Sequence, residues 1–149
     1  MPAKNPDTVN EQSAEREVRG IYRELAERAI SRSCTFRTEC CQFRLTGKIP
    51  HLTRGEALVA VKALRASGRK SAPLRSDGSC PMLDPGTSRC WIYEGRPFGC
   101  RTDFCDAAGG PYDRRDVIDL IRRLEEVDAR LQGHGPQILT SALADILTK

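Results

Sequence analysis

The chain has 149 residues, of which 39% are hydrophobic, 30% charged and 5% aromatic, with a formal net charge of +4. That length suits one ordinary domain with a modest core and leaves no room for two large ones. No run approaches the ~20 apolar residues of a membrane span, and the bases are mixed with acids (Glu15, Arg16, Glu17, Arg19; Arg122, Arg123, Glu125, Glu126), a pattern of solvated helix faces rather than of a phosphate-binding stripe.

Residues 1–10 are polar and lack an apolar period, so they are expected to form a flexible tail ahead of a single domain over 11–149. From Glu11 onward Val18, Ile21, Tyr22, Leu25, Ala29 and Ile30 recur at three- and four-residue steps, which predicts an amphipathic helix ending near Ser31. Thr53 followed by Glu56 is a capping-box spacing. It announces a second helix through Leu58, Val61 and Leu64 to a stop at Gly68. Residues 69–79 are basic and unpatterned, an exposed loop that delivers Cys80.

The grammar then changes. Met82 and Leu83, a turn at Asp84-Pro85-Gly86, and Trp91-Ile92-Tyr93 predict a short β-hairpin with Cys80 and Cys90 near its two open ends. Two helices are expected over 113–148. Asp113 is the candidate N-cap of the first, whose stripe is Val117, Leu120, Ile121, Leu124, Val127 and Leu131. Past the break Gly133-His134-Gly135-Pro136, Ile138, Leu139, Ala142, Leu143, Ile146 and Leu147 give the second. The expected fold is mainly α: a small helical domain with an irregular cysteine-rich insert, 34–105, carrying a short β-hairpin around a metal site.

All seven cysteines lie in that insert: Cys34, Cys40, Cys41, Cys80, Cys90, Cys100 and Cys105. Clustered thiolates let a few rotatable bonds bring several soft ligands to one cation. The first thirty positions lack an apolar signal core, so a cytoplasmic, reducing location is expected, and an odd number of thiols cannot all pair in any case. Both points favour metal ligation over a disulfide framework.

The strings SCTFRTECC (33–41), LTRGEA (52–57), CPML (80–83) and RCWIYEGRPFGCR (89–101) carry a resemblance. Together they resemble the CxxCxxCC cysteine-cluster family, a YkgJ-type zinc- or iron-chelating domain, over about Cys34 to Cys105. The run from Cys90 to Arg101 is the most specific part. The resemblance implies a metal-binding role, with zinc or an iron–sulfur cluster, and implies no known reaction. One departure stands out: Arg37 occupies the second cysteine position of the opening motif, so that motif offers three thiolates, and an arginine cannot ligate a cation.

Two independent tetrahedral sites need eight ligands, so a single site is favoured. Its ligands are expected to be Cys90 and Cys100 first, since Pro97 stiffens the loop between them, then Cys34, Cys41, Cys40 and Cys80, with Cys105 last. Zinc is favoured over a [4Fe–4S] cluster because the ferredoxin-like C-x2-C-x2-C run is absent. The other conspicuous residues have plainer readings. Arg96 and Arg101 brace a loop carbonyl or carboxylate, with offsetting of thiolate charge as the functional alternative. Trp91 and Tyr93 anchor the hairpin on the helices. His134 is a solvated loop residue and His51 a lesser candidate ligand, while Asp103 and Asp106 serve turns. Gly109-Gly110-Pro111 lacks the lysine and serine of a phosphate loop.

No acid–base or nucleophile constellation stands out. The expected function is therefore a small metal-binding protein whose zinc or iron serves mainly as structure, or for metal handling or presentation to a protein partner. The alternatives are an iron–sulfur redox protein or a component of a modification enzyme. A weaker third reading, nucleic-acid binding, is prompted only by a pI near 8.8 and the basic stretch from Arg65 to Arg75. No membrane partner is expected.

Overall fold

A computed structural model describes residues 6–28, 50–70, 80–84, 86–87, 90–102 and 112–147. Cys34, Arg37, Cys40, Cys41, Asp103, Cys105, Asp106 and the Gly109-Gly110-Pro111 run lie outside these residues, as do Ala29 and Ile30. Five helices occupy the described residues: α1 Pro6–Glu27, α2 Arg54–Ala66, α3 Phe98–Thr102, α4 Ile118–Arg130 and α5 Leu139–Leu147. They are joined by 3-10 turns at Tyr93–Gly95 and Arg114–Asp116. The fold is thus mainly helical, with a small antiparallel sheet of two strands, β1 His51–Leu52 and β2 Gln137–Ile138.

α2 is the axis of the arrangement. Gly55, Glu56, Ala57, Leu58, Val59, Ala60, Val61 and Leu64 are all buried, and a helix buried on nearly every side must have neighbours on several faces. Val59 joins Ala14, Val18, Ile21, Tyr22 and Leu25 of α1 and Leu120, Leu124 and Val127 of α4 in one apolar cluster. Leu58, Val61 and Leu64 join Leu139, Ala142, Leu143 and Ile146 of α5 in a second. The cysteine-bearing turns complete both: Cys80, Met82, Leu83 and Ile92 belong to the α5 cluster, and Phe98 to the α1–α4 cluster.

Several element boundaries differ from expectation for identifiable reasons. α1 begins at Pro6, whose fixed φ and missing N–H suit a first helical turn, so residues 6–10 continue the helix instead of forming a tail. It closes at Glu27, where the Arg28 N–H bonds the Leu25 carbonyl at 3.2 Å in a tightened last turn. Asp113 caps, but it caps the 3-10 turn, accepting the Arg115 N–H at 3.0 Å, and α4 starts only after Val117. α2 has the expected capping box at Thr53 and Glu56, and its stop lies at Gly68, where φ is +88°.

The hairpin is reduced to one antiparallel bridge, Leu83 with Cys90, supported by the Trp91 N–H on the Met82 carbonyl at 2.8 Å. Tyr93 has already entered a 3-10 turn. The sheet lies elsewhere: His51 pairs with Ile138 and Leu52 with Gln137, which ties the start of α2 to the start of α5. Asp84 organises the turn after the bridge. One carboxylate oxygen accepts the Gly86 and Thr87 N–H groups at 2.7 and 3.0 Å, and the other accepts the Trp91 indole N–H at 2.9 Å. Arg69 stacks on the Trp91 ring with its guanidinium carbon 3.7 Å from the centroid. Charges mixed along α1 and α4 meet as a seam of pairs, Glu17 with Arg130, Glu24 with Arg123, and Arg28 with Asp119 at 2.9 Å, each worth little alone at an exposed surface.

Gly55 marks the tightest helix crossing. A Cβ there would lie 2.8 Å from Val127 Cγ1 and 2.9 Å from Val18 Cγ2, so α1 and α4 both approach α2 through its missing side chain. Helix propensity alone would favour alanine by up to about 1 kcal/mol, but overpacking costs about 1–3 kcal/mol. Gly55→Ala is therefore expected to lower unfolding free energy in urea, and a gain would contradict the packing described. A second test concerns Asp84, whose carboxyl is held down to about 2 from the usual 3.8 by the Trp91 indole first and the two amides next. A depressed folded-state value means that its contribution is whole above about pH 4 and is lost as pH falls through about 2. The urea midpoint, followed by Trp91 fluorescence, is expected to fall across that window more steeply for the wild type than for Asp84→Asn. Parallel curves would remove the role given to this carboxylate.

Candidate metal centre

Cys80, Cys90 and Cys100 are the candidate ligands within the described residues. Cys80 opens the turn that ends at Leu83, its carbonyl accepting the Leu83 N–H at 3.0 Å, and Leu83 pairs directly across with Cys90. The two thiols therefore sit at the base of one bridged turn, with Cys80 buried and Cys90 half-buried against the same apolar cluster. The bridge itself sets Cys90 opposite Leu83, three residues past Cys80, in place of the full hairpin with both cysteines near its open ends. Cys90 then leads through the Tyr93–Gly95 turn, which lies close on α2: a Cβ on Gly95 would stand 2.8 Å from the Ala63 Cβ and 3.2 Å from the Val59 carbonyl.

Cys100 arrives differently. Its helix, α3, starts at Phe98 after the fully buried Pro97, and the Cys100 N–H bonds the Pro97 carbonyl at 3.1 Å. The Phe98 N–H bonds Glu56 Oε1 at 2.7 Å, a contact across 42 residues. The other oxygen of Glu56 accepts the Thr53 N–H and hydroxyl, each at 2.9 Å, and the Tyr22 hydroxyl reaches Oε1 at 3.5 Å. One buried carboxylate thus joins α1, the head of α2 and the cysteine-bearing α3.

Two arginines brace the same loop, as expected for Arg96 and Arg101. Arg101 donates from Nε to the Arg96 carbonyl at 2.8 Å and from Nη2 to the Glu94 carbonyl at 2.7 Å, while its guanidinium carbon lies 4.1 Å from the centre of the Tyr22 ring. Arg96 donates to the Tyr93 carbonyl at 3.0 Å and stacks on the Tyr93 ring at 3.9 Å. Tyr22 is therefore shared, its hydroxyl towards Glu56 and its face towards Arg101.

The electrostatics follow from burial. Burial pushes the Glu56 carboxyl above the ordinary glutamate value, and the bonds from Thr53, Phe98 and Tyr22 pull it back only in part. The protonated acid is thus relatively favoured in the folded state, and the stability it contributes declines as pH rises through its folded-state value. Tyr22 is pushed well up, by burial first and the Glu56 charge next, with Cys100 adding to the rise. Burial lowers Arg101, and the nearby Cys100 sulfur counteracts this.

Among the described residues no three His, Cys, Asp or Glu side chains gather closely enough to hold an ion. Asp84 and Glu56, two described carboxylates at these turns, are committed to N–H and O–H donors. His134 is an exposed loop residue, as expected, and His51 is exposed on β1. Even so, α3 lies beside β1, a relation that spacing alone could not reveal. The role of Glu56 was equally hidden, because its capping-box position accounted for it fully.

No described helix is long and apolar enough to cross a membrane. Comparison with curated proteins and with solved structures yields no match. The CxxCxxCC family model, described as a "putative zinc- or iron-chelating domain", matches residues 32–119, which include all seven cysteines and both braced turns. The chain belongs to the CxxCxxCC family.

Proposed function

We propose that this protein holds zinc or iron through thiolates drawn from Cys34, Cys40, Cys41, Cys80, Cys90, Cys100 and Cys105, and that the metal chiefly braces the segment between α1 and α4. The observation that carries this reading is that one short turn carries both Cys80, whose carbonyl bonds Leu83, and Cys90, which pairs with Leu83, inside the region matched by a metal-chelating family. Topology adds support. Along the chain the segment 29–49, with Cys34, Cys40 and Cys41, joins α1 to β1, and α3, which carries Cys100, lies beside β1. Sulfur is the natural first ligand in a cysteine cluster, and thiolate sets suit zinc or an iron–sulfur centre.

Bound there, a zinc ion would supply cross-linking and no redox chemistry. The chain's own residues supply the rest: Arg101 offsets thiolate charge near Cys100, and the apolar cluster keeps water from Cys80. The metal's use in handling metal or in presenting this face to a protein partner belongs to the same proposal, as does a cytoplasmic setting that keeps the thiols reduced. Zinc remains favoured on the ligand pattern. The second reading, an iron–sulfur redox protein, is kept open by the family's description, which names iron beside zinc.

Elemental analysis of anaerobically purified protein tests the proposal. Near one equivalent of zinc or iron per chain is expected, and less than about half an equivalent would refute it, because structural sites fill tightly. A brown protein absorbing near about 400 nm and bleaching on reduction would select the iron–sulfur reading, and a colourless zinc protein would exclude it. Cys90→Ser is expected to lower metal content and melting temperature more than Cys105→Ser. Equal metal loss in both variants would overturn the ranking of ligands.

A further inference from the structure

We infer that Glu56 is a positioning residue of the metal centre: through the Phe98 amide it fixes the turn that carries Cys100 and presents that thiol before any ion arrives. The inference rests on the proposal that Cys100 ligates metal. A capping glutamate has only to accept the N–H of its cap residue, and Oε2 does this at Thr53. A solvent-facing glutamate would cap α2 equally well.

Glu56 instead is 3% exposed, and its second oxygen points away from the cap to Phe98 and Tyr22. Burying a carboxylate is costly unless donors surround it, so the use of this oxygen lies in what it grips. What it grips is the first amide of α3, two residues before Cys100, in a turn whose Pro97 is fully buried.

Arg101 closes the same turn from the other side. Its bonds to the Glu94 and Arg96 carbonyls fold the stretch 94–101 on itself, and its guanidinium rests on the ring whose hydroxyl faces Glu56. The Cys100 turn is therefore ordered by the helices, in the way that partners behind metal ligands orient them elsewhere, where their loss weakens metal binding by about 10–100-fold.

The test is a double-mutant cycle on the full chain, with zinc affinity measured by competition against a chromophoric chelator. Glu56→Gln is expected to weaken zinc binding by about 10–100-fold. In the Cys100→Ser background the same change is expected to alter affinity by no more than about twofold, since its route to the metal is gone. An equal loss in both backgrounds, or none in either, would overturn the inference and leave Glu56 a structural cap. Should Glu56→Gln not fold, amide exchange in metal-free wild type decides the matter. A protected Phe98 amide supports a pre-set turn, and exchange at open-loop rates contradicts it. A wild type that takes up neither zinc nor iron would refute the proposed function instead, while the Phe98 amide would still report whether Glu56 holds the turn.

Discussion

The carboxylate of Glu56 lies where α1, α2 and the cysteine-bearing turn meet, and it accepts bonds from all three: Tyr22, Thr53 and Phe98. A charge or acid buried this deeply is tolerated only when its lone pairs are filled, so each donor is constrained in turn. Each oxygen takes two of these bonds, and losing one bond to a charged acceptor costs about 1.5–3 kcal/mol. The position of Cys100 is thereby coupled to the seating of α1 on α2. Helix packing and the placement of Cys100 share one interaction.

Around this point the apolar work is divided. α2 separates two clusters, one shared with α1 and α4 and one with α5 and the Cys80–Cys90 turn. Gly55 and Gly95 mark the places where backbones come close enough to exclude a side chain. Because the helices close these clusters with Leu, Ile and Val, metal is not asked to create the core. In the proposed reading its contribution is to tie the irregular segment to a frame that the helices already hold, unlike the smallest zinc modules, which have no fold without their ion.

Much of the helical frame was legible in the sequence. The stripes of α1, α2, α4 and α5 are long enough for period 3.6 to emerge, and the Thr53–Glu56 pair and Gly68 bound α2 as local chemistry requires. What eluded the sequence was short or distant. Two-residue strands carry no period, so the pairing of β1 with β2 was invisible, and the hairpin was overestimated because Tyr93 turns into a 3-10 segment. Within the site, the turn between Leu83 and Cys90 was readable from its turn residues, and the bracing by Arg96 and Arg101 from their place in a tight loop. The bond from Phe98 to Glu56 was not, since nothing local distinguishes a glutamate that caps from one that also reaches across 42 residues.

X-ray absorption at the metal edge of the protein as purified tests thiolate ligation most directly, because it reads the donor atoms without presuming which cysteines supply them. Ligation by this cluster predicts a first shell dominated by sulfur at about 2.3 Å. A shell made mainly of nitrogen or oxygen at about 2.0–2.2 Å would contradict it.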